Sequence, residues 1–95
     1  QYTGLLDSVN ALRGVAKEGR NPICMLVGLL GKEPGVAPTQ SARYGLRIVE
    51  PVLDAMEVSH HLIEYDDDVA KVRPAIDLAY AESSPVVLLI GASPR

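Results

Sequence analysis

The spacing of apolar residues predicts a helix near the start of the chain. After Gly4, the residues Leu5, Val9, Leu12 and Ala16 recur every three or four positions, which is the pattern of a helix with one buried face. The first three residues lack this spacing. They are predicted to be the tail of a strand that turns at the glycine into the helix.

Three short apolar runs predict β-strands, at residues 23–30, 61–65 and 86–90. The first and last runs contain no charged residue, as expected of central strands buried on both faces of a parallel sheet. Residues 31–44 contain several glycines and prolines and no hydrophobic period, which predicts a long loop.

Two further helices are predicted between these strands. Pro51 fits the first turn of a short helix, where its missing N–H costs nothing. The three aspartates at 66–68 are predicted to cap the next helix and to complement its dipole. The apolar stripe of that helix is expected to consist of Val69, Val72, Ile76, Ala79 and Tyr80.

The alternation of strand and helix favours parallel βαβ units. We therefore predict an α/β fold, with three layers and a mostly parallel sheet, in which residues 1–95 form one partial domain. Gln1 is not a start methionine, and one or two N-terminal βα units are expected to precede it. Their loss would leave a sheet edge and apolar helix faces uncovered, so we expect association as a homo-oligomer or with a partner chain.

Composition excludes several classes of protein. The chain is 47% hydrophobic, which suits one core, and its net charge of −3 argues against nucleic-acid binding. The apolar runs are too short to cross a bilayer and no signal peptide is visible, so we expect a cytoplasmic protein without membrane contact. The single cysteine, Cys24, excludes a disulfide framework, and its place in an apolar run predicts a buried side chain.

Common catalytic motifs are missing from the sequence. His60 and His61 are adjacent, so on a strand they face opposite ways, and no second cysteine is present to complete a zinc site. No Walker loop occurs, and no Gly-x-Gly-x-x-Gly follows a strand. The aspartate run 66–68 points in different directions, which favours a helix cap over a metal site.

Three segments together resemble a known family. Residues 1–12 (QYTGLLDSVNAL) resemble a strand-to-helix segment, and residues 25–28 (MLVG) precede a loop that contains Pro-Thr-Gln at 38–40. The third segment, GLRI at 45–48 leading into PVLDAM at 51–56, is similar to a Gly-Arg-x-x-Pro-x-Leu-Asp-Ala-Leu pattern. The resemblance covers nearly the whole chain and is to the pyrimidine-binding domain of thiamine-diphosphate-dependent decarboxylases of phosphonopyruvate and sulfopyruvate.

This resemblance implies a cofactor site at the start of the chain, formed by Gln1, Tyr2, Thr3, Gly4 and Leu5. The glycine, without a Cβ, would let the main chain approach the aminopyrimidine ring of thiamine diphosphate. A partner domain would hold the diphosphate and Mg²⁺ across a dimer interface. The glutamate that activates the pyrimidine in the family falls upstream of this sequence, so no catalytic residue is assigned and the chain alone is not a complete catalyst.

The resemblance also suggests a substrate class, a small anionic 2-oxo acid. Arg43 and Arg47 are candidates to bind its phosphonate or sulfonate tail, the alternative being two solvent-exposed charges near a helix start. Tyr2 and Asp7 stand where related sequences often carry Asn, and Ser41 stands where a relative presents His. The identity of the 2-oxo acid therefore stays open.

Two other functions remain open from the sequence. One is a non-catalytic α/β assembly module, such as a degenerate paralogue of the decarboxylase domain. The other is a small flavodoxin-like binding domain whose similarity to the family is coincidental.

Overall fold

Three parallel strands form the sheet in residues 1–91, the part of the chain that the computed structural model describes. They are β1 (Cys24–Gly28), β2 (Ser59–Ile63) and β3 (Val86–Ile90). The strand order is β1-β3-β2, with β3 hydrogen-bonded to both neighbours in parallel. This confirms the predicted α/β class and the parallel sheet.

Helices precede or connect these strands. α1 (Tyr2–Asp7), α2 (Val9–Ala11) and a π-helix (Leu12–Glu18) follow one another as an N-terminal rod, residues 2–18. Between β1 and β2 lie a 3₁₀ helix (Pro38–Gln40), α3 (Tyr44–Arg47) and α4 (Val49–Ala55). Between β2 and β3 lie a second 3₁₀ helix (Asp66–Lys71) and α5 (Val72–Glu82). None of the helices in residues 1–91 is long and apolar enough to span a membrane.

The hydrophobic side chains form one core on each face of the sheet. The larger core joins the N-terminal rod, α3 and α4 to one face, where Val87 and Leu89 of β3 are fully buried. The smaller core packs Ala75 and Ala79 of α5 against the opposite face. Since β3 contributes to both cores, it is the strand that is buried on both sides, and the predicted three layers are confirmed.

The start of the chain differs from the sequence prediction, because residues 2–7 are helical and no strand tail or turn at Gly4 exists. The amide of Gly4 donates to the carbonyl of Gln1 at 3.0 Å, as in a first helical turn. Tyr2 extends the apolar stripe by one more turn and packs against the larger core. Burial of this side chain therefore favours an earlier helix start.

β1 also differs from the prediction, since it is an edge strand and not a central one. Its side chains on one face are exposed: Leu26 is 71% exposed, and Cys24 is exposed rather than buried. The physical reason is that α5 packs over β2 and β3 and leaves this face of β1 uncovered. The prediction of a buried cysteine was wrong.

β2 starts and ends two residues earlier than predicted. Its end is set by the carboxylate of Asp68, which accepts the amide N–H groups of Glu64 and Tyr65, both at 3.0 Å. These two amides therefore serve the cap of the following 3₁₀ helix. Asp68 thus takes part in the cap of this 3₁₀ helix as its third residue, whereas the N-cap position predicted for the aspartate run is occupied by Tyr65.

The buried face of α5 is narrower than predicted. Ala75 and Ala79 are buried, whereas Val69 and Tyr80, both predicted for the apolar stripe, are exposed. Val69 lies in the preceding 3₁₀ helix, whose period of three residues differs from that of an α-helix and shifts the face that it presents.

Candidate functional site

The carboxyl edge of the sheet is the place where open α/β folds bind ligands. In this chain the three strands end at Gly28, Ile63 and Ile90, and the loop 31–43 follows the first of them. The candidate site consists of the groups that gather at this edge.

The N-terminal rod begins at the carboxyl edge and runs toward the opposite end of the sheet. Near its end, Lys17 Nζ donates to the carbonyl of Glu57 at 2.8 Å, just before β2 begins. At its start, the ring of Tyr2 covers Gly45, where an added Cβ would lie 2.9 Å from the ring. Since Gly45 belongs to α3, which follows the loop from β1, the first residues of the chain lie at the carboxyl edge.

The five residues predicted to bind the cofactor have different surroundings. Gln1, Thr3 and Gly4 are exposed, and a Cβ placed on Gly4 would meet no atom within 4 Å. Leu5 is 2% exposed and belongs to the larger core, so its side chain is not available to a ligand. Tyr2 is half-buried between the core and α3. The surface open to a ligand is therefore the main chain around Thr3 and Gly4.

The two predicted substrate-binding arginines lie two residues on either side of Gly45, in the segment that Tyr2 contacts. The guanidinium of Arg43 covers Gly31, where an added Cβ would lie 2.6 Å from Nε. Arg47 Nη1 donates to the carbonyls of Ser41 and Ala42 at 3.1 and 3.2 Å. The guanidinium groups of both arginines thus lie against the loop 31–43, and Arg47 is already engaged by its carbonyl groups.

Hydrogen bonds to the half-exposed carboxylate of Glu33 fix the loop 31–43. Glu33 accepts the Ser41 hydroxyl at 2.7 Å and the Ala42 amide at 2.8 Å. The Ala42 amide, followed by the Ser41 hydroxyl, lowers the pKa of Glu33 to about 2. These hydrogen bonds join the two ends of the loop, so the loop is held in place beside Arg43.

A buried ion pair joins this loop to the end of β2. Lys32 Nζ lies 2.6 Å from Glu64 Oε1, and the two side chains are 0% and 6% exposed. Lys32 also donates to the carbonyl of Glu33 at 2.9 Å, and the amide of Gly35 donates to Glu64 Oε1 at 3.2 Å. The sequence analysis missed this pair. The available signal was that each residue closely follows a strand, which places both at one edge.

Two other polar clusters involve the histidines of β2 and Asp68. His60 and His61 face opposite sides of β2, as predicted: the ring of His60 bonds to Asp54 of α4, whereas His61 lines a shallow groove of about 340 Å³ beside α5. Lys71, followed by the amides of Tyr65 and Glu64, holds the pKa of Asp68 well below its ordinary value. Within residues 1–91, no group of three or more His, Cys, Asp or Glu side chains is placed to hold a metal ion.

The carboxyl edge therefore offers two kinds of recognition. Exposed main chain at Thr3 and Gly4 can accept a flat ring, and the guanidinium of Arg43 can bind an anion. No protein-family model matches the sequence, and comparisons with curated proteins and with solved structures find no match either.

Proposed function

We propose that this chain is the pyrimidine-binding portion of a thiamine-diphosphate-dependent decarboxylase that acts on a small anionic 2-oxo acid. The observation that carries the proposal is the contact at the carboxyl edge of a parallel sheet between the ring of Tyr2 and Gly45, which lies in the segment that contains Arg43 and Arg47. The sequence resemblance assigns those two segments to cofactor and substrate. They are far apart along the chain, and the contact of Tyr2 with Gly45 supports assigning them to one site.

The residues at the start of the chain fit a flat heterocycle on one physical ground. Gly4 is exposed and no atom lies within 4 Å of the position of an added Cβ, so a ring can lie against the main chain. Leu5 contributes by packing into the core, which holds this helical turn in place. The thiazolium part of the bound cofactor would supply the carbanion chemistry of decarboxylation.

The chain needs a partner under this proposal. Mg²⁺ and the diphosphate would be held by a second domain that carries a Gly-Asp-Gly…Asn metal motif, and the cofactor would lie between the two domains. The role of Arg43 is to bind the anionic tail of the substrate, for which a guanidinium beside a fixed loop is suited.

Calorimetric titration tests the proposal. Thiamine diphosphate with Mg²⁺ is titrated into this chain alone, into a diphosphate-binding chain that bears the metal motif, and into the mixture. We expect heat of binding from the mixture beyond the sum of the two separate chains, and none from this chain alone. If the mixture binds no better than the separate chains, the proposal fails.

Gly4→Ala provides the sharper version of this test. In the helix this substitution stabilises the fold by about 0.5–1 kcal/mol, but a methyl group under the ring weakens cofactor binding by about 5- to 100-fold if it costs 1–3 kcal/mol. Gly14→Ala is the matched control, because it also lies in the N-terminal rod with no atom within 4 Å of its added Cβ. The control stabilises without changing affinity. Equal cofactor affinity in both variants would show that the pyrimidine ring does not lie against Gly4.

One observation favours a second candidate function, an assembly module without catalysis. The uncovered face of β1 exposes Leu26 and Cys24, and apolar surface of this kind is commonly buried in a complex. Light scattering distinguishes the two functions when combined with the titration. Association of the chains without cofactor binding would favour assembly over catalysis.

A further inference from the structure

The ring of His60 lies between two carboxylates of α4. Its Nε2 is 2.8 Å from Asp54 Oδ1, and its Nδ1 is 3.4 Å from Glu50 Oε2. The side chain is 14% exposed. Among the side chains of residues 1–91, Nδ1 of His60 is the buried polar atom that has no hydrogen-bond partner.

The number of protons on the ring decides what this arrangement can do. A neutral imidazole donates from one nitrogen only, whereas an imidazolium donates from both. With the Nε2 proton directed at Asp54, the neutral ring presents a lone pair on Nδ1 to the carboxylate of Glu50. A second proton replaces that repulsion with an N–H group facing an anion.

The ring joins two elements of the fold. Glu50 and Asp54 lie one turn apart on α4, and His60 is the second residue of β2. We propose that His60 is a proton-dependent latch that holds α4 on β2 more firmly when both ring nitrogens carry protons. Because α4 follows α3 directly, holding α4 on β2 also restrains α3, the helix that contains Arg47.

The other charged groups near β2 do not replace the two carboxylates. β3 carries no charged residue, and the 3₁₀ helix Asp66–Lys71 follows the far end of β2. Lys17 from the N-terminal rod donates to the carbonyl of Glu57, and the Glu57 carboxylate is the remaining acidic group between α4 and β2. Among residues 1–91, the two groups within 4 Å of the ring nitrogens are thus both acidic.

The latch predicts a sign for the pH dependence of stability. The ring with both nitrogens protonated attracts both carboxylates, whereas the neutral ring can donate to only one of them, so the contact between α4 and β2 is firmer at low pH. Thermal unfolding followed by circular dichroism at pH 5.5 and pH 7.5 measures this. We expect the melting temperature of the wild-type chain to be about 4–8 °C lower at pH 7.5.

Three variants separate the latch from a general pH effect. His60→Gln abolishes the difference between the two pH values, and His61→Gln, on the opposite face of β2, preserves it. Glu50→Gln places an amide donor opposite the unprotonated Nδ1, so its melting temperature does not fall at pH 7.5. A wild-type chain without the pH difference, or a His60→Gln chain that retains it, overturns the proposal.

A second measurement covers the case in which a variant does not fold. In the wild-type chain, NMR follows the ring signals of both histidines and the backbone amides of α4 as the pH changes. We expect the α4 amides to shift with the midpoint of His60 and not with that of His61. If the chemical shifts of the α4 amides do not change as His60 titrates, the latch is ruled out.

Discussion

Removal of Lys32 tests whether the buried ion pair holds the carboxyl edge together. Lys32→Met keeps most of the apolar stem of the side chain and deletes the ammonium group, together with its hydrogen bond to the carbonyl of Glu33. Glu64 then remains in a site where its side chain is 6% exposed, and within residues 1–91 the amide of Gly35 is its one remaining donor. The perturbation is thus an uncompensated buried carboxylate.

The magnitude follows from the burial of both partners. Breaking a buried pair by deleting one partner costs about 3–5 kcal/mol. A domain of this size has about 5–14 kcal/mol of total stability, at 0.05–0.15 kcal/mol per residue. Lys32→Met is therefore expected to remove a large part of the stability. The double variant Lys32→Met/Glu64→Met leaves no buried charge and is expected to cost only about 1–2 kcal/mol, much less than the sum of the single substitutions.

Urea unfolding measures these differences, with far-UV circular dichroism as the signal because the chain contains no tryptophan. Arg73→Met is the matched control, since it breaks an ion pair with Asp77 whose side chains are 86% and 65% exposed. The control is expected to change stability by less than about 0.5 kcal/mol. Loss of less than about 1 kcal/mol in Lys32→Met, or additive costs in the double variant, refutes the reasoning.

Two further predictions concern the loop and its neighbours. The pKa of Glu33 is lowered to about 2, and the pKa of Asp68 is also lowered. The two ionised carboxylates therefore stabilise the fold in full above the ordinary carboxyl range, and this stabilisation is lost as the pH falls toward 2. The urea midpoint should fall between pH 5 and pH 2, less steeply in Glu33→Gln and Asp68→Asn; equal slopes in all three chains contradict this. Gly31→Ala is expected to destabilise by about 1–2 kcal/mol, since its φ is +84° and the methyl group would displace Arg43. Stability equal to that of the wild-type chain in urea would contradict the strain at Gly31.

The elements that the sequence predicted well are those whose signal is local. β3 has the bounds expected from its apolar run, because a strand covered on both faces needs apolar residues at every position. The stripe at Leu5, Leu12 and Ala16 is buried as expected, because one helix face alone meets the sheet. In both cases the pattern and the burial are properties of the same short segment.

The strand order could not be predicted in the same way. β1 and β3 have equally apolar sequences, and nothing local distinguishes an edge strand from a central one. The exposure of Leu26 depends on where α5 packs, which is settled by Ala75 and Ala79 far along the chain. The same limit applies to the ion pair, since a lysine and a glutamate that follow strands are ordinarily solvent-exposed charges.

The prediction of a strand tail at the start of the chain was wrong, but the position of the candidate site does not depend on it. A strand that turns into a helix and a helix that begins at Tyr2 both bring Thr3 and Gly4 to the carboxyl edge, because the rod runs antiparallel to β1 in either case. What changes is the backbone at Gly4, which is helical and open instead of a turn. A helical Gly4 gains stability from a methyl group, whereas a ring lying against it loses contact. Only a bound heterocycle makes Gly4→Ala differ from Gly14→Ala in cofactor affinity, and stability alone does not produce that difference.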